Sequence, residues 1–253
     1  MTDLFALTFH GDGIVSLPIA TDHDRYLDEA WLHSFSAALE ALGEDESARV
    51  VILEGVGRYF CAGASRDSLT ASVAGAWTYA ARIPHLILDL PIPIVAAMAG
   101  HAIGGGLVLG LWCDGLVMSA ESLYGANFMA LGVPPGMGAT FAVPEAFGAS
   151  LGRELLWSGR LMTGREIRDA CCPLSHAVHP RAEVFRRALA LGREMAETPP
   201  DSARLFKRQL AVGRRAHLGA ALAAEEAGHT QQAEDLALRQ EVARRYWGDA
   251  PCR

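Results

Sequence analysis

Lysine is almost missing. Lys207 is the single lysine in 253 residues, and arginine supplies the rest of the basic charge. Chemistry that needs a lysine amine therefore has one candidate, and no Walker-type phosphate lysine exists. Cysteine is sparse as well: Cys171 and Cys172 are adjacent, while Cys61, Cys113 and Cys252 are scattered. That spacing excludes a disulfide framework and points to a reducing compartment. Positive charge is in deficit, with a formal net charge of −7, which argues against a protein that grips a phosphate backbone. Long apolar runs are also lacking, because Asp89, Pro91, Pro93, the Gly104–Gly106 run and Asp114 interrupt them. The opening MTDLFALTF has no basic n-region and no long apolar h-region. These absences predict a soluble cytoplasmic protein with no nucleic-acid partner and no membrane partner.

What is present is an ordinary globular balance, 51% apolar and 20% charged, enough for a sizeable core. No linker, low-complexity block or fixed-period repeat divides the chain. Phe5 to Phe9 and Ile14 to Ile19 alternate as paired strands, and Leu27, Trp31, Phe35, Leu39 and Leu42 recur at helical spacing. Residues 49–54, 93–98 and 116–118 read as buried strands separated by Gly- and Ala-rich loops and then helices. Beyond about Pro180 the composition turns Ala-, Leu-, Glu- and Arg-rich, predicting helices over 181–197, 201–217 and 219–246. Thr198–Pro199–Pro200–Asp201 supplies a stop and then an N-cap. The expected class is α/β, with a core over 1–180 and an all-helical region over 181–253 serving oligomerisation and active-site cover.

Two loops stand out as places where chemistry can occur. Arg58–Tyr59–Phe60–Cys61–Ala62–Gly63–Ala64–Ser65 follows one buried strand, and Ala99–Gly100–His101–Ala102–Ile103–Gly104–Gly105–Gly106–Leu107 follows the next. Small residues let a ligand approach the backbone, and two such loops can aim two N–H groups at one oxygen. The glycine run lacks the spacing of a dinucleotide fingerprint. Taken with the strands VVILEG and PIPIVAAMAG, with Cys113–Asp114 and with the later GVPPGMGAT, these loops resemble the crotonase (enoyl-CoA hydratase/isomerase) superfamily. The resemblance implies a spiral of ββα units with a helical C-terminal region, a homotrimer, and a thioester enolate held by the N–H groups of Ala64 and Gly105.

The departures from that family narrow the reaction. Hydratases carry catalytic glutamates at two positions that are Val108 and Phe128 here. The stretches Glu121 to Met129, Pro135 to Thr140 and MAGHAIGGGLVLGLWCD resemble the decarboxylating homologues of polyketide β-branching cassettes. That subgroup implies decarboxylation of a 3-methylglutaconyl thioester on an acyl carrier protein, giving a 3-methylcrotonyl thioester. The thioester is carried on phosphopantetheine, with no metal and no other cofactor. It also implies a histidine acid in the C-terminal helices, which falls on His229. Tyr79, Arg82, Val108, Asn127, Phe128 and Met129 are the expected substrate contacts. The subgroup's lysine falls near Thr78, where the segment Ala76 to Arg82 contains none, leaving Tyr79 or Arg82 to hold the substrate carboxylate. Tyr79 and Trp77 read equally as core or as tunnel wall. His101 is expected to be a satisfied structural histidine and Cys61 a small buried residue. Glu225 and Glu226 read as solvated helix charges, and Arg204, Arg208, Arg214 and Arg215 as surface contacts for an acidic carrier. An enoyl-CoA hydratase or isomerase, a bifunctional dehydratase-decarboxylase, and a catalytically silent scaffold or RNA-binding member are the competing readings.

Overall fold

The computed structural model describes residues 6–19, 26–170, 172–232 and 236–246. Among the described residues, ten strands and twelve α-helices follow one another as β1 (Thr8–Phe9), β2 (Ile14–Pro18), α1 (Glu29–Glu44), β3 (Val50–Glu54), β4 (Tyr59–Cys61), α2 (Arg66–Ala71), α3 (Val73–Ala80) and α4 (Ile83–Asp89). They continue with β5 (Ile94–Met98), β6 (His101–Ile103), α5 (Gly105–Leu111), β7 (Gly115–Ser119), β8 (Leu123–Gly125), α6 (Phe128–Leu131), α7 (Ala139–Phe147) and α8 (Ala149–Ser158). The last are β9 (Met162–Thr163), α9 (Gly164–Asp169), β10 (Val178–His179), α10 (Val184–Ala196), α11 (Pro200–Gln232) and α12 (Leu236–Arg245).

A six-stranded sheet runs in the order β1-β2-β3-β5-β7-β10, and a four-stranded sheet runs β4-β6-β8-β9. Three times the chain lays a strand in the large sheet, bends into the small one and then turns into helix: β3–β4, β5–β6 and β7–β8. That is the expected ββα spiral. The central pairings are parallel, with Val51 opposite Ile94 and Val95 opposite Gly115. Their apolar runs are continuous because both faces of the sheet are covered. Val51, Leu53, Ile94, Ala96 and Met98 face the main core, whereas Val50, Ile52, Val95 and Ala97 face Val184 and Ala188 of α10. Helix α10 is therefore packed directly on the sheet.

Local rules place the flanking elements. Asp28 caps α1, its Oδ1 accepting from Trp31 N–H at 2.7 Å, so the helix starts at Glu29 and Leu27 lies before it. The expected stripe is buried, with Trp31 stacked on Phe35. Phe5 lies outside the described residues, and β1 begins at Thr8. Pro200, rather than Asp201, opens α11 at the position where its missing N–H costs nothing.

Helix α11 corrects two expectations. No break falls near 217–219; one helix of 33 residues runs through Gly213 and Gly219. Polar anchors along its length override the weak helix propensity of glycine. Lys207 Nζ meets Asp114 Oδ2 at 2.5 Å with both side chains nearly dry. The Asp114 carboxylate also accepts from Ile94 N–H, tying α11 to the sheet. Arg214 donates to the carbonyls of Leu111 and Trp112, and its guanidinium lies over the Trp112 ring. Arg215 donates to Leu88 O at the end of α4. These two arginines satisfy orphan carbonyls at helix C-termini and do not form a free surface for a partner. Arg208 is exposed, and Arg204 is half-buried. Among the described residues no helix is long and apolar enough to cross a membrane.

Candidate active site

The two glycine-bearing loops meet backbone to backbone. Gly63 has φ +79°, and a Cβ there would lie 2.7 Å from Ile103 O and 3.3 Å from Gly105 N. A Cβ on Gly106 would lie 2.2 Å from Cys61 O. Only glycine permits this approach, which seats the start of α5 against the end of β4. Ser65 Oγ caps α2 by accepting from Ser68 N–H at 3.1 Å, fixing the far side of the first loop. Neither Ala64 N–H nor Gly105 N–H finds an acceptor among the described residues. Both residues line one cavity, so the pair stands ready for a ligand oxygen.

That cavity has a volume of about 860 Å³ and a mainly apolar wall that includes Leu69, Ile103, Phe128 and Val133. Among the described residues lining it there is no aspartate and no glutamate. His229, at 5% exposure, projects from α11 into the wall. Its Nε2 lies 3.0 Å from Pro135 O. A carbonyl only accepts, so Nε2 carries the proton and Nδ1 is left without a partner. Burial pushes the imidazole below its ordinary value, opposed by the Pro135 carbonyl, which favours the charged ring.

One helical turn earlier sits Glu225, which is buried and not a solvated charge. Its carboxylate accepts from Gly138 N–H at 2.8 Å, from Thr140 N–H at 3.0 Å and from the Thr140 hydroxyl at 2.8 Å. It caps the start of α7 from another helix, and so sets the height of His229 over the cavity. Desolvation raises its carboxyl pKa, while these three donors pull it down. Glu226 is exposed. The signal for Glu225 was its i,i+4 spacing from His229, which puts both on one face.

The other expected residues divide. Tyr79, Asn127 and Phe128 line the cavity with Ala64, Gly105 and His229. Arg82 is exposed at the start of α4, Val108 is fully buried in α5, and Met129 is half-buried in α6; none of the three is among the lining residues. The Tyr79 hydroxyl donates to Leu27 O at 3.4 Å, and burial raises its pKa. Arg82 therefore does not reach the cavity to stand in for the missing lysine. His101 lines the wall with its Nδ1 accepting from Leu123 N–H at 2.9 Å, and burial lowers its pKa. Cys61 is buried at the end of β4.

Two contributors were not foreseen in these roles. Trp77 of α3 lies beside His229, with ring centroids 5.5 Å apart, and its Nε1 is buried without a partner. Tyr246, just after α12, donates its hydroxyl to Ala64 O at 2.7 Å. Val242 of the same helix packs with Leu69, Ala76 and Val133, so α12 covers the cavity and fastens onto the loop that presents Ala64.

Comparison with known proteins agrees with this geometry. A family model described as enoyl-CoA hydratase/isomerase matches residues 20–246. Bacillaene synthase decarboxylase PksI of Bacillus subtilis is 40% identical over 174 residues, covering 68% of this chain and 69% of that protein. Human mitochondrial methylglutaconyl-CoA hydratase is 34% identical over 228 residues, covering 87% and 67%. Among solved structures, the ECH2 decarboxylase domain of CurF from Lyngbya majuscula superposes with a TM-score of 0.87 at 28% identity, covering 97% of this chain and all of that one. The family match over most of the chain and the identity to these relatives agree: the chain belongs to the enoyl-CoA hydratase/isomerase family.

Proposed function

We propose that this protein decarboxylates a 3-methylglutaconyl-type thioester to a 3-methylcrotonyl-type thioester during polyketide β-branching. The thioester oxygen sits between Ala64 N–H and Gly105 N–H. The bond between the carboxylate carbon and the γ-carbon breaks, and its electron pair passes through the double bond onto that oxygen. The two N–H groups stabilise the resulting dienolate, where one such donor is typically worth about 10²–10³ in rate. CO₂ leaves, and the protonated His229 imidazole returns a proton to the γ-carbon. The thioester itself is the electron sink, so the step draws on no further cofactor.

One observation carries this assignment: the cavity wall holds a buried histidine and, among its described residues, no carboxylate. Adding water to a double bond uses a carboxylate base to activate that water, and the family's two glutamate positions are Val108 and Phe128 here. With no carboxylate among the described residues of that wall, the substrate carboxylate meets no like charge there, and it departs as neutral CO₂. The named decarboxylases among the relatives support the same reading.

In this reading the substrate rides on phosphopantetheine, with an acyl carrier protein as partner, in the cytoplasm. The protein assembles as a homotrimer, for which the exposed Leu205, Phe206, Leu210 and Val212 of α11 offer an apolar surface. The test is a paired assay of the purified enzyme. CO₂ release from 3-methylglutaconyl-pantetheine is expected, and hydration of crotonyl-CoA is not. The reverse pattern contradicts the proposal.

A further inference from the structure

Polar groups in this cavity are nearly all spoken for. Tyr246 binds Ala64 O, His101 accepts from Leu123, and Arg245 pairs with Glu241. Three buried side-chain nitrogens among the described residues have no hydrogen-bond partner: Trp77 Nε1, His229 Nδ1 and Arg204 Nε. Arg204 does not line the cavity. The other two residues do, side by side, their rings tilted at 31°. Gly136 makes room for both: a Cβ there would lie 3.0 Å from Trp77 Cδ1 and 3.7 Å from His229 Nε2. An unsatisfied buried polar group is costly, so two neighbouring ones on residues that line a cavity point to a ligand group that completes them as it enters between the rings.

The chemistry of the two atoms specifies the ligand. An indole N–H can only donate, so Trp77 needs an acceptor and cannot act as acid or base. His229 spends its Nε2 proton on Pro135 O, so Nδ1 donates only when the ring is an imidazolium. A group that accepts from both, and that stabilises the cation, is a carboxylate. We propose that Trp77 Nε1–H and His229 Nδ1–H together hold the carboxylate of the substrate, with Trp77 filling the role left open by the missing lysine.

This rests on the decarboxylase reading and deepens it. The bound carboxylate draws a proton from solvent onto Nδ1. When the carbon–carbon bond breaks, CO₂ departs and the γ-carbon is left where its carboxylate had been held. The Nδ1 proton then passes to that carbon, leaving a neutral imidazole, and charge balances: one anion and one proton give one CO₂ and one neutral thioester. Trp77 releases its acceptor unchanged.

The experiment compares binding of two unreactive probes, 3-methylglutaryl-pantetheine and isovaleryl-pantetheine, which differ only by the carboxylate and lack the double bond that accepts electrons. Trp77→Phe keeps an aromatic side chain, smaller than indole, and deletes the N–H. It is expected to weaken the carboxylate probe about ten- to hundredfold and leave the neutral probe unchanged. Equal weakening of both probes, or of neither, overturns the proposal. Should Trp77→Phe fold poorly, Gly136→Ala supplies the second variant: crowding both rings, it is expected to lower the carboxylate preference selectively, and a preserved preference overturns the proposal. The two readings fail separately. Loss of carboxylate preference in an enzyme that releases no CO₂ keeps this site and removes decarboxylation. Undiminished preference in an active decarboxylase removes Trp77 from the site.

Discussion

Gly63 and Gly11 form a matched pair for testing how the oxyanion loops are held. They have φ of +79° and +81°, so an alanine at either position incurs the same left-handed strain, about 1–2 kcal/mol. Their surroundings differ completely. A Cβ at Gly11 meets nothing within 4 Å, whereas one at Gly63 meets Ile103 O at 2.7 Å and Gly105 N at 3.3 Å. Crowding of that kind adds about 1–3 kcal/mol, because backbone cannot swing aside as a flexible side chain does. Gly63→Ala is therefore expected to unfold at lower denaturant than Gly11→Ala, by that difference, with unchanged slope. The folded Gly63→Ala enzyme relieves the clash by spreading the two loops, which separates Ala64 N–H from Gly105 N–H. Turnover should fall about 10²–10³-fold, as when one oxyanion donor is removed. Gly11→Ala should turn over normally. A Gly63→Ala enzyme equal to Gly11→Ala in both stability and turnover would refute the loop contact and the donor pair together.

Lys207→Met tests whether the sole lysine is structural. It strands the Asp114 carboxylate at 9% side-chain exposure, and loss of about 3–5 kcal/mol is expected in chemical denaturation; an unperturbed midpoint contradicts the ion pair. Glu225→Ala leaves Gly138 N–H and Thr140 without their acceptor, for a loss of about 1–3 kcal/mol in the same assay. Turnover should fall with it as His229 loses its support, and Glu225→Gln should restore part of both; a silent alanine variant contradicts the capping role. The pH profile follows from His229, which faces the Pro135 carbonyl, with Glu225 one turn away locked to Gly138 and Thr140. Burial holds its free-enzyme pKa below the usual 6.5, so kcat/KM should decline as pH rises through that lowered value. In kcat the same limb should lie at higher pH, because the bound carboxylate favours the imidazolium. Coincident limbs contradict the coupling.

The parts of this fold that repeat at short range were legible. The apolar runs VVILE and IVAAM mark strands buried on both faces, and they form the centre of the large sheet. The loops around Gly63 and Gly104–Gly106 announced close backbone approach through the absence of side chains. What stayed hidden depends on distant packing. Arg214 and Arg215 have the composition of a solvated helix face, and only α4 and α5 ending beneath α11 turns them inward. Glu225 becomes a buried cap only because α7 begins where its carboxylate reaches. The continuity of α11 was obscured by two glycines whose cost is met by tertiary anchors. Trp77 could not be assigned because its meaning lies in a missing partner, and a sequence does not show which polar atoms go unsatisfied.

The central claim is most directly tested by intact-protein mass spectrometry of an acyl carrier protein loaded with 3-methylglutaconyl-phosphopantetheine, incubated with and without this enzyme. Enzyme-dependent loss of the mass of one CO₂, abolished in His229→Ala, is the expected result. A competent loaded carrier that keeps its mass in the presence of folded enzyme would contradict the decarboxylase account.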